Sequence, residues 1–269
     1  MPDAIRLRTE LRERVWGRTD LAPWFPDPGR RIGEAWYVSD LDLPLLVKFL
    51  FTTERLSVQV HPDDGEDGPR GKSEMWHILD AAPGATIALG FREEITRERL
   101  VEAARTGEIE QLLNWIPVKA GETYYTPAHT VHAIGAGIEL VEIQQNSDVT
   151  YRLWDYGRPR ETHVEKAAPL CDLGLHPGAS VAMSVGPGRD ELVRSRHFVT
   201  ESVSLAAGAS FMAEKEECQL WICLEGEATI SGNVSRPGEV WYLSATGEVK
   251  AQKDSRFLRT FVPAKSALG

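Results

Sequence analysis

The sequence predicts an all-β protein built from two consecutive β-rich halves, with a short helical insertion in the first. Three observations carry this expectation. From Glu34 onward, segments rich in β-branched and aromatic residues recur, among them EAWYVS, PLLVKFLFTT, LSVQV, EMWHIL, ATIALGF, GIELVEIQQ and VTYRLWD. Turn residues separate these segments at close intervals, as in a sandwich or barrel. Strand signals then lapse over residues 160–192, which hold Pro169, Gly174, Pro177, Gly178, Pro187 and Gly188, and resume as FVTESVSL, CQLWICLEG, EATISG, EVWYLS and FLRTFV.

Residues 95–114 break the β rhythm. Apolar residues fall at Ile95, Leu100, Val101 and Ala104, then at Ile109, Leu112 and Leu113. This is helical spacing interrupted near Gly107, so two short helices are expected, the first capped by Thr96. The boundary between halves is placed so that residues 1–165 form one domain, and residues 166–269 form a linker and a second domain. In the second half, CQLWICLEGEATISG and RPGEVWYLSA repeat the strand–turn rhythm of VKAGETYYTPAHTVHAI in the first. Where the first half supplies histidines, the second supplies Ser244, Ala245 and Thr246. The second half is therefore expected to be a barrel without metal chemistry, with Trp221, Trp241 and Phe261 as packing residues.

Composition bounds the function. The chain has 269 residues, 42% hydrophobic and 26% charged, which is ordinary for a globular protein with a substantial core. A formal net charge of -10 speaks against nucleic-acid or anionic-membrane partners, which select basic surfaces. A small phosphorylated ligand needs only a few local cations and is not excluded. Three irregularly spaced cysteines, Cys171, Cys218 and Cys223, do not read as a disulfide framework, so a cytoplasmic setting is expected. The charged N-terminal stretch does not read as a signal peptide, and no apolar run reaches membrane-helix length.

Chemistry-bearing residues concentrate in four segments of the first half. In LSVQVHPDD, strand alternation puts Ser57, Gln59 and His61 on one face and Val58 and Val60 on the other. An amide oxygen and an imidazole could thus face one ion, although a surface histidine on a half-exposed strand is the commoner outcome. In GKSEMWHIL, Lys72, Glu74 and Trp76 share a face; Glu74 offers an anionic ligand and Lys72 a cation for a phosphate or sugar oxygen. An exposed Lys–Glu pair would be the plain alternative. In YYTPAHTVHAIGAG, His132 lies within an apolar-flanked strand and is the favoured ligand, with His129 in the preceding turn at the cavity rim. Gln59, His61, Glu74 and His132 together suit zinc or another divalent transition ion, one per chain. Finally, a hairpin across the NSD turn is expected to bring Glu142 and Arg152 to one region, as an anionic substrate would require.

QVHPDD, KSEMW and TVHAIGAGIELVEIQQNSDVTYRLWDYGR together resemble the type I mannose-6-phosphate isomerases, particularly the short bacterial forms. The resemblance is close over roughly residues 34–160 and looser beyond. It implies two cupin-like β-barrels of jelly-roll type and a divalent metal, usually zinc. Position by position, it implies Gln59, His61, Glu74 and His132 as metal ligands, Arg152 as the active-site arginine, and Ser57 and Lys72 as pocket residues. It also places Glu142 near the reacting sugar. His129 departs from the family, which commonly has a small residue there.

The implied reaction moves a proton between C1 and C2 through an enediol. Glu142 is the first candidate base, with Lys72 or a metal-coordinated water moving the oxygen-bound proton. Arg152 would stabilise enediolate charge or hold the phosphate. The competing readings are an isomerase of glucose 6-phosphate, an iron-dependent cupin dioxygenase, and a sugar-binding metal cupin without turnover. The neighbouring Lys72, Glu142 and Arg152 weigh against the last two.

Overall fold

Strand formation follows the β-branched segments, and the side-chain alternation along them decides what each face does. The computed structural model describes residues 3–216, 218–244 and 246–264. Ala245 and the extreme ends of both expected domains lie outside them. The first half contains β1 (Ala4–Arg6), β2 (Arg8–Arg18), β3 (Ile32–Val38), β4 (Leu45–Thr52), β5 (Val58–Val60), β6 (Glu74–Ala81), β7 (Thr86–Phe91), α1 (Arg97–Thr106), α2 (Ile109–Leu112), β8 (Leu113–Pro117), β9 (Thr123–Thr126), β10 (His132–Ile134), β11 (Ile138–Gln145), β12 (Tyr151–Trp154) and α3 (Val164–Ala167). The second half adds β13 (Met183–Gly186), β14 (Arg189–Arg194), β15 (Val199–Leu205), β16 (Ser210–Ala213), β17 (Gln219–Glu225), β18 (Ala228–Ile230), β19 (Asn233–Ser235), β20 (Val240–Leu243), β21 (Gly247–Ala251) and β22 (Ser255–Phe261).

Four antiparallel sheets result. The first half pairs a six-stranded sheet, β2-β3-β4-β11-β6-β9, with a five-stranded one, β12-β5-β10-β7-β8. The second half pairs a seven-stranded sheet, β1-β20-β17-β22-β15-β14-β13, with a four-stranded one, β16-β21-β18-β19. The first strand of the chain thus completes a sheet of the second half, Ile5 lying opposite Tyr242.

The cores show how the layers stack. Val58, Val60, Val131 and Ala133 turn outward from the five-stranded sheet onto α1, α2 and α3. Leu50, Trp76, Ile78 and Leu140 meet Ile87, Leu89 and Ile134 between the two sheets of the first half. Phe49, Met75, Val141 and Ile143, from the other face of the six-stranded sheet, pack on Leu220, Ile222 and Leu258 of the second half. Trp221 and Trp241 fill the core between the last two sheets, and the Phe261 ring lies 4.4 Å from the Arg259 guanidinium.

The helical insertion is α1 and α2. Thr96 accepts a hydrogen bond from Arg99 N–H, and Gly107 ends α1 in the left-handed region at φ 84°. The helical spacing is expected to run to residue 114, but Leu113 and Asn114 open β8. Leu113 N–H closes the last helical bond to Ile109 while its backbone is already extended. A second difference concerns residues 139–154. They do not form a hairpin: β11 pairs with β4 and β6, whereas β12 pairs with β5 in the opposite sheet. The NSD turn is an arch between sheets, driven by burial of β11 on both faces.

Candidate active site

One end of the space between the two sheets of the first half is polar. The same alternation that sends Val58 and Val60 to the helices sends Ser57, Gln59 and His61 inward. His132 on β10 lies directly opposite Gln59 on β5. On the facing sheet, Lys48, Glu74 and Glu142 occupy the inward positions of β4, β6 and β11, in register through Glu142 opposite both Lys48 and Trp76. Ser57, His61, Lys72, Glu74, His132 and Glu142 are all buried.

His61, Glu74 and His132 converge. Glu74 Oε2 lies 3.5 Å from His61 Nε2, and Glu74 Oε1 lies 3.5 Å from His132 Nε2. Ligands bonded tetrahedrally at about 2.1 Å stand about 3.4 Å apart, so these edges match a metal-ligand set. Both imidazoles are oriented for it. His61 Nδ1 meets Val149 O at 3.0 Å and His132 Nδ1 meets Thr130 O at 2.8 Å. Each carbonyl fixes the Nδ1–H tautomer and leaves the Nε2 lone pair facing inward. Glu74 Oε1 and His132 Nε2 are buried with no hydrogen-bond partner, a costly state that a metal ion relieves.

Electrostatics agree. Burial, reinforced by the Lys72 ammonium, pushes the His61 imidazole well below its ordinary pKa and the His132 imidazole down to about 3. Both are therefore neutral, as metal ligation demands. Burial also raises the Glu74 carboxyl, with Glu142 adding to the rise and Lys72 opposing it. Lys72 Nζ sits 2.8 Å from His61 Nε2 and 2.5 Å from Glu74 Oε2. It meets the atoms a metal would bond, so a cation of either kind satisfies them.

A cleft of about 430 Å³ opens beside this set. Ser57, Gln59, Lys72, Glu142 and Arg152 all line it, as do Arg14, Lys48 and Arg160. Its five cations, Arg14, Lys48, Lys72, Arg152 and Arg160, face three carboxylates, Glu34, Glu142 and Asp148. The wall is net cationic inside a chain of net charge -10. Arg152 Nη1 donates to Glu161 O at 2.6 Å, while its Nε is buried without a partner. His129 stands outside the cleft lining. Its Nε2 pairs with Glu66 at 2.7 Å, and its backbone takes φ 73°.

Lys48 carries no assignment in the sequence reading. It sits in the apolar run PLLVKFLFTT, where the run registers only as a strand. Yet its position two residues from inward-facing Leu50 gives it the inner face. Its Nζ donates to Glu142 Oε1 at 2.9 Å and to Gln144 Oε1 at 2.5 Å. Trp76 Nε1 donates to the other Glu142 oxygen at 3.2 Å. Burial opposes ionisation of Glu142, but Lys48 and Lys72 outweigh it and hold the carboxyl below the usual range.

Paired antiparallel sheets with a His–Glu–His set on their inner walls define a cupin-type protein with a candidate metal site. No family model matches the sequence. The chain is 36% identical over 209 residues to the mannose-6-phosphate isomerase ManA of Bacillus subtilis, covering 61% of this chain and 66% of that protein. It is 32% identical over 228 residues to the mannose-6-phosphate isomerase of Streptococcus mutans, covering 68% and 72% respectively. Among solved structures, the mannose 6-phosphate isomerase of Bacillus subtilis superposes with a TM-score of 0.85 at 26% identity, over 97% of this chain and 100% of that one. Phosphomannose isomerase of Salmonella typhimurium shares the fold, with a TM-score of 0.78 at 16% identity, over 98% and 100%. The chain belongs to the mannose-6-phosphate isomerase family.

Proposed function

We propose that the protein interconverts mannose 6-phosphate and fructose 6-phosphate, with one divalent metal ion, zinc, held by Gln59, His61, Glu74 and His132. The observation that carries this reading is the net cationic cleft whose wall includes Gln59 and Lys72, Lys72 in turn touching the buried His61 and Glu74 of the His–Glu–His set. Bound there, the metal would polarise the sugar's C1 and C2 oxygens and stabilise negative charge on them. The protein's side chains do the rest. Glu142, ionised and buried, takes the carbon-bound proton and returns it to the neighbouring carbon. Lys72, an ammonium beside the ligands, moves the oxygen-bound proton. Arg152, whose side chain lines the cleft, stabilises enediolate charge through its guanidinium, and Ser57 binds the sugar.

In this reading the division of labour follows the chain: residues 1–165 bind metal and substrate, and residues 166–269 support them. A cytoplasmic setting goes with it, since Cys171 and Cys223 are buried free thiols. No helix among the described residues is long and apolar enough to cross a membrane.

The test is a coupled isomerase assay on mannose 6-phosphate and on glucose 6-phosphate, before and after chelation. Turnover of mannose 6-phosphate that disappears with chelator and returns with zinc is expected. Turnover of glucose 6-phosphate at an equal or higher kcat/KM would replace the substrate assignment. Full activity of metal-stripped protein would remove the metal from it.

A further inference from the structure

Beyond β12 the chain runs D-Y-G-R-P-R from Asp155 to Arg160, and it is organised by one buried carboxylate. Asp155 is 2% exposed. Arg158 donates to its Oδ1 from Nε at 3.1 Å and from Nη2 at 2.7 Å. Arg160 donates to Oδ2 from Nε at 2.5 Å and to Oδ1 from Nη2 at 2.7 Å. Tyr156 and Gly157 take φ 55° and 76°, a left-handed pair that reverses the chain so that both arginines return to Asp155. The left-handed region is unusual for an aromatic residue and is held here by the surrounding contacts.

The two arginines differ in what remains of them. Arg158 Nη2 also donates to Arg55 O at 2.9 Å, and its Nη1 lies 3.9 Å from Glu54. It is committed to the protein. Arg160 gives only Nε and Nη2 to Asp155, which leaves Nη1 outside the fork, and its side chain lines the cleft beside Arg152. A carboxylate that holds two guanidinium groups leaves a local excess of one positive charge, delivered on a rigid arm.

We propose that Asp155 is a positioning residue that fixes Arg160 as the anchor for the substrate's phosphate. The inference rests on the sugar-phosphate reading above. The phosphate on C6 is at the opposite end of the carbon chain from C1 and C2, so its cation must stand away from the metal ligands. Lys72 touches those ligands, and Lys48 is committed to Glu142 and Gln144. Arg160 comes from a separate segment and touches neither. Its planar donor edge suits a phosphate, and the two-point grip of Asp155 removes the entropy cost of ordering a long side chain on binding.

Steady-state kinetics on the metal-loaded enzyme, with calorimetric titration of inorganic phosphate, test the proposal. Arg160→Ala is expected to raise KM for mannose 6-phosphate and weaken phosphate binding by about 10- to 100-fold, the range of a lost charged hydrogen bond, with kcat changed far less. Arg160→Lys keeps the charge but cannot make the two-point fork to Asp155. It should lose nearly as much as Arg160→Ala if positioning matters. Asp155→Asn should move KM and phosphate affinity in the same direction with metal content intact. Unchanged phosphate affinity and KM in Arg160→Ala would overturn the anchor. A wild-type-like Arg160→Lys, or a folded Asp155→Asn with wild-type values, would overturn the positioning role. If wild-type protein binds inorganic phosphate through Arg160 yet leaves mannose 6-phosphate unchanged, the isomerase reading fails and the anion site stands.

Discussion

Replacing Lys48 by methionine removes a cation from the interior while keeping most of its bulk. Lys48 and Glu142 side chains are 5% and 6% exposed, so neither charge is hydrated in the fold. The ammonium donates to Glu142 and Gln144 and stands 4.2 Å from the Trp36 ring centroid. Without it, Glu142 retains only Trp76 among these polar partners. Breaking a buried pair from one side costs about 3–5 kcal/mol, because the other charge is left uncompensated. For a chain of this size each kcal/mol lowers Tm by about 2–4 °C, so Lys48→Met should lose about 6–20 °C at neutral pH. Lys48→Met combined with Glu142→Gln should recover part of this, with a coupling of about 1–3 kcal/mol. The pH dependence should also change sign. In the wild type the folded Glu142 titrates below its unfolded value, so its stabilisation is present above about pH 4.3 and is lost as pH falls through the folded pKa. In the variant only Lys72 and the Trp76 hydrogen bond still oppose burial, and the folded pKa is expected to rise above the unfolded one. Stability then falls as pH rises between them, and the gap to wild type narrows at pH 5. Thermal melts of the four proteins at pH 5 and 7.5 decide the matter. A Lys48→Met shift below about 2 °C at pH 7.5, additive with Glu142→Gln, would refute the buried-pair argument.

His132→Ala should abolish stoichiometric metal, measured by atomic emission, while circular dichroism stays that of a folded β protein; retained metal at one per chain would remove His132 from the ligand set. Arg152→Ala should lower kcat and kcat/KM together by about 10²- to 10³-fold with metal content unchanged. A rise in KM alone would make Arg152 a phosphate holder instead. Gly107→Ala should destabilise the protein by more than about 1 kcal/mol in urea unfolding, because a Cβ at this φ of 84° would lie 2.6 Å from the Trp154 ring. Wild-type stability there would mean that the α1 terminus shifts freely.

Period-two alternation explains why so much of the site was legible in the sequence. It placed Gln59 and His61 opposite Val58 and Val60, and put Lys72, Glu74 and Trp76 on one face. The structure brings His61, Glu74 and His132 together from three separate strands or strand ends. What alternation cannot report is which strand lies next to which. Glu142 and Arg152 share a cleft as expected, but across an arch between two sheets, because pairing partners are chosen by long-range burial. Lys48 was missed for a related reason: in a strand buried on both faces, a single charge among apolar residues looks like noise until its partner is known. Asp155 and Arg160 were missed because their chemistry depends on a left-handed turn at Tyr156, a residue type that does not signal one.

The Lys48 pair also bears on how Glu142 can act as a base. A carboxylate held below its usual range is reliably ionised, yet it is a weak proton acceptor, and a base works best near the ambient pH. The cations that depress it, Lys48 and Lys72, are also ones that line the cleft. A bound phosphate and a developing enediolate would add negative charge against Lys48 and Lys72, spend part of their field, and raise the Glu142 pKa when the proton must be accepted. In the free enzyme the same field keeps the carboxylate charged, while burial, reinforced by Lys72, keeps the His61 and His132 imidazoles neutral. Basicity would then depend on substrate occupancy, and the pKa of the essential base read from kcat should lie above that read from kcat/KM. Equal values in the two profiles would show that substrate charge does not reach Glu142, and the role of base would pass to Lys72.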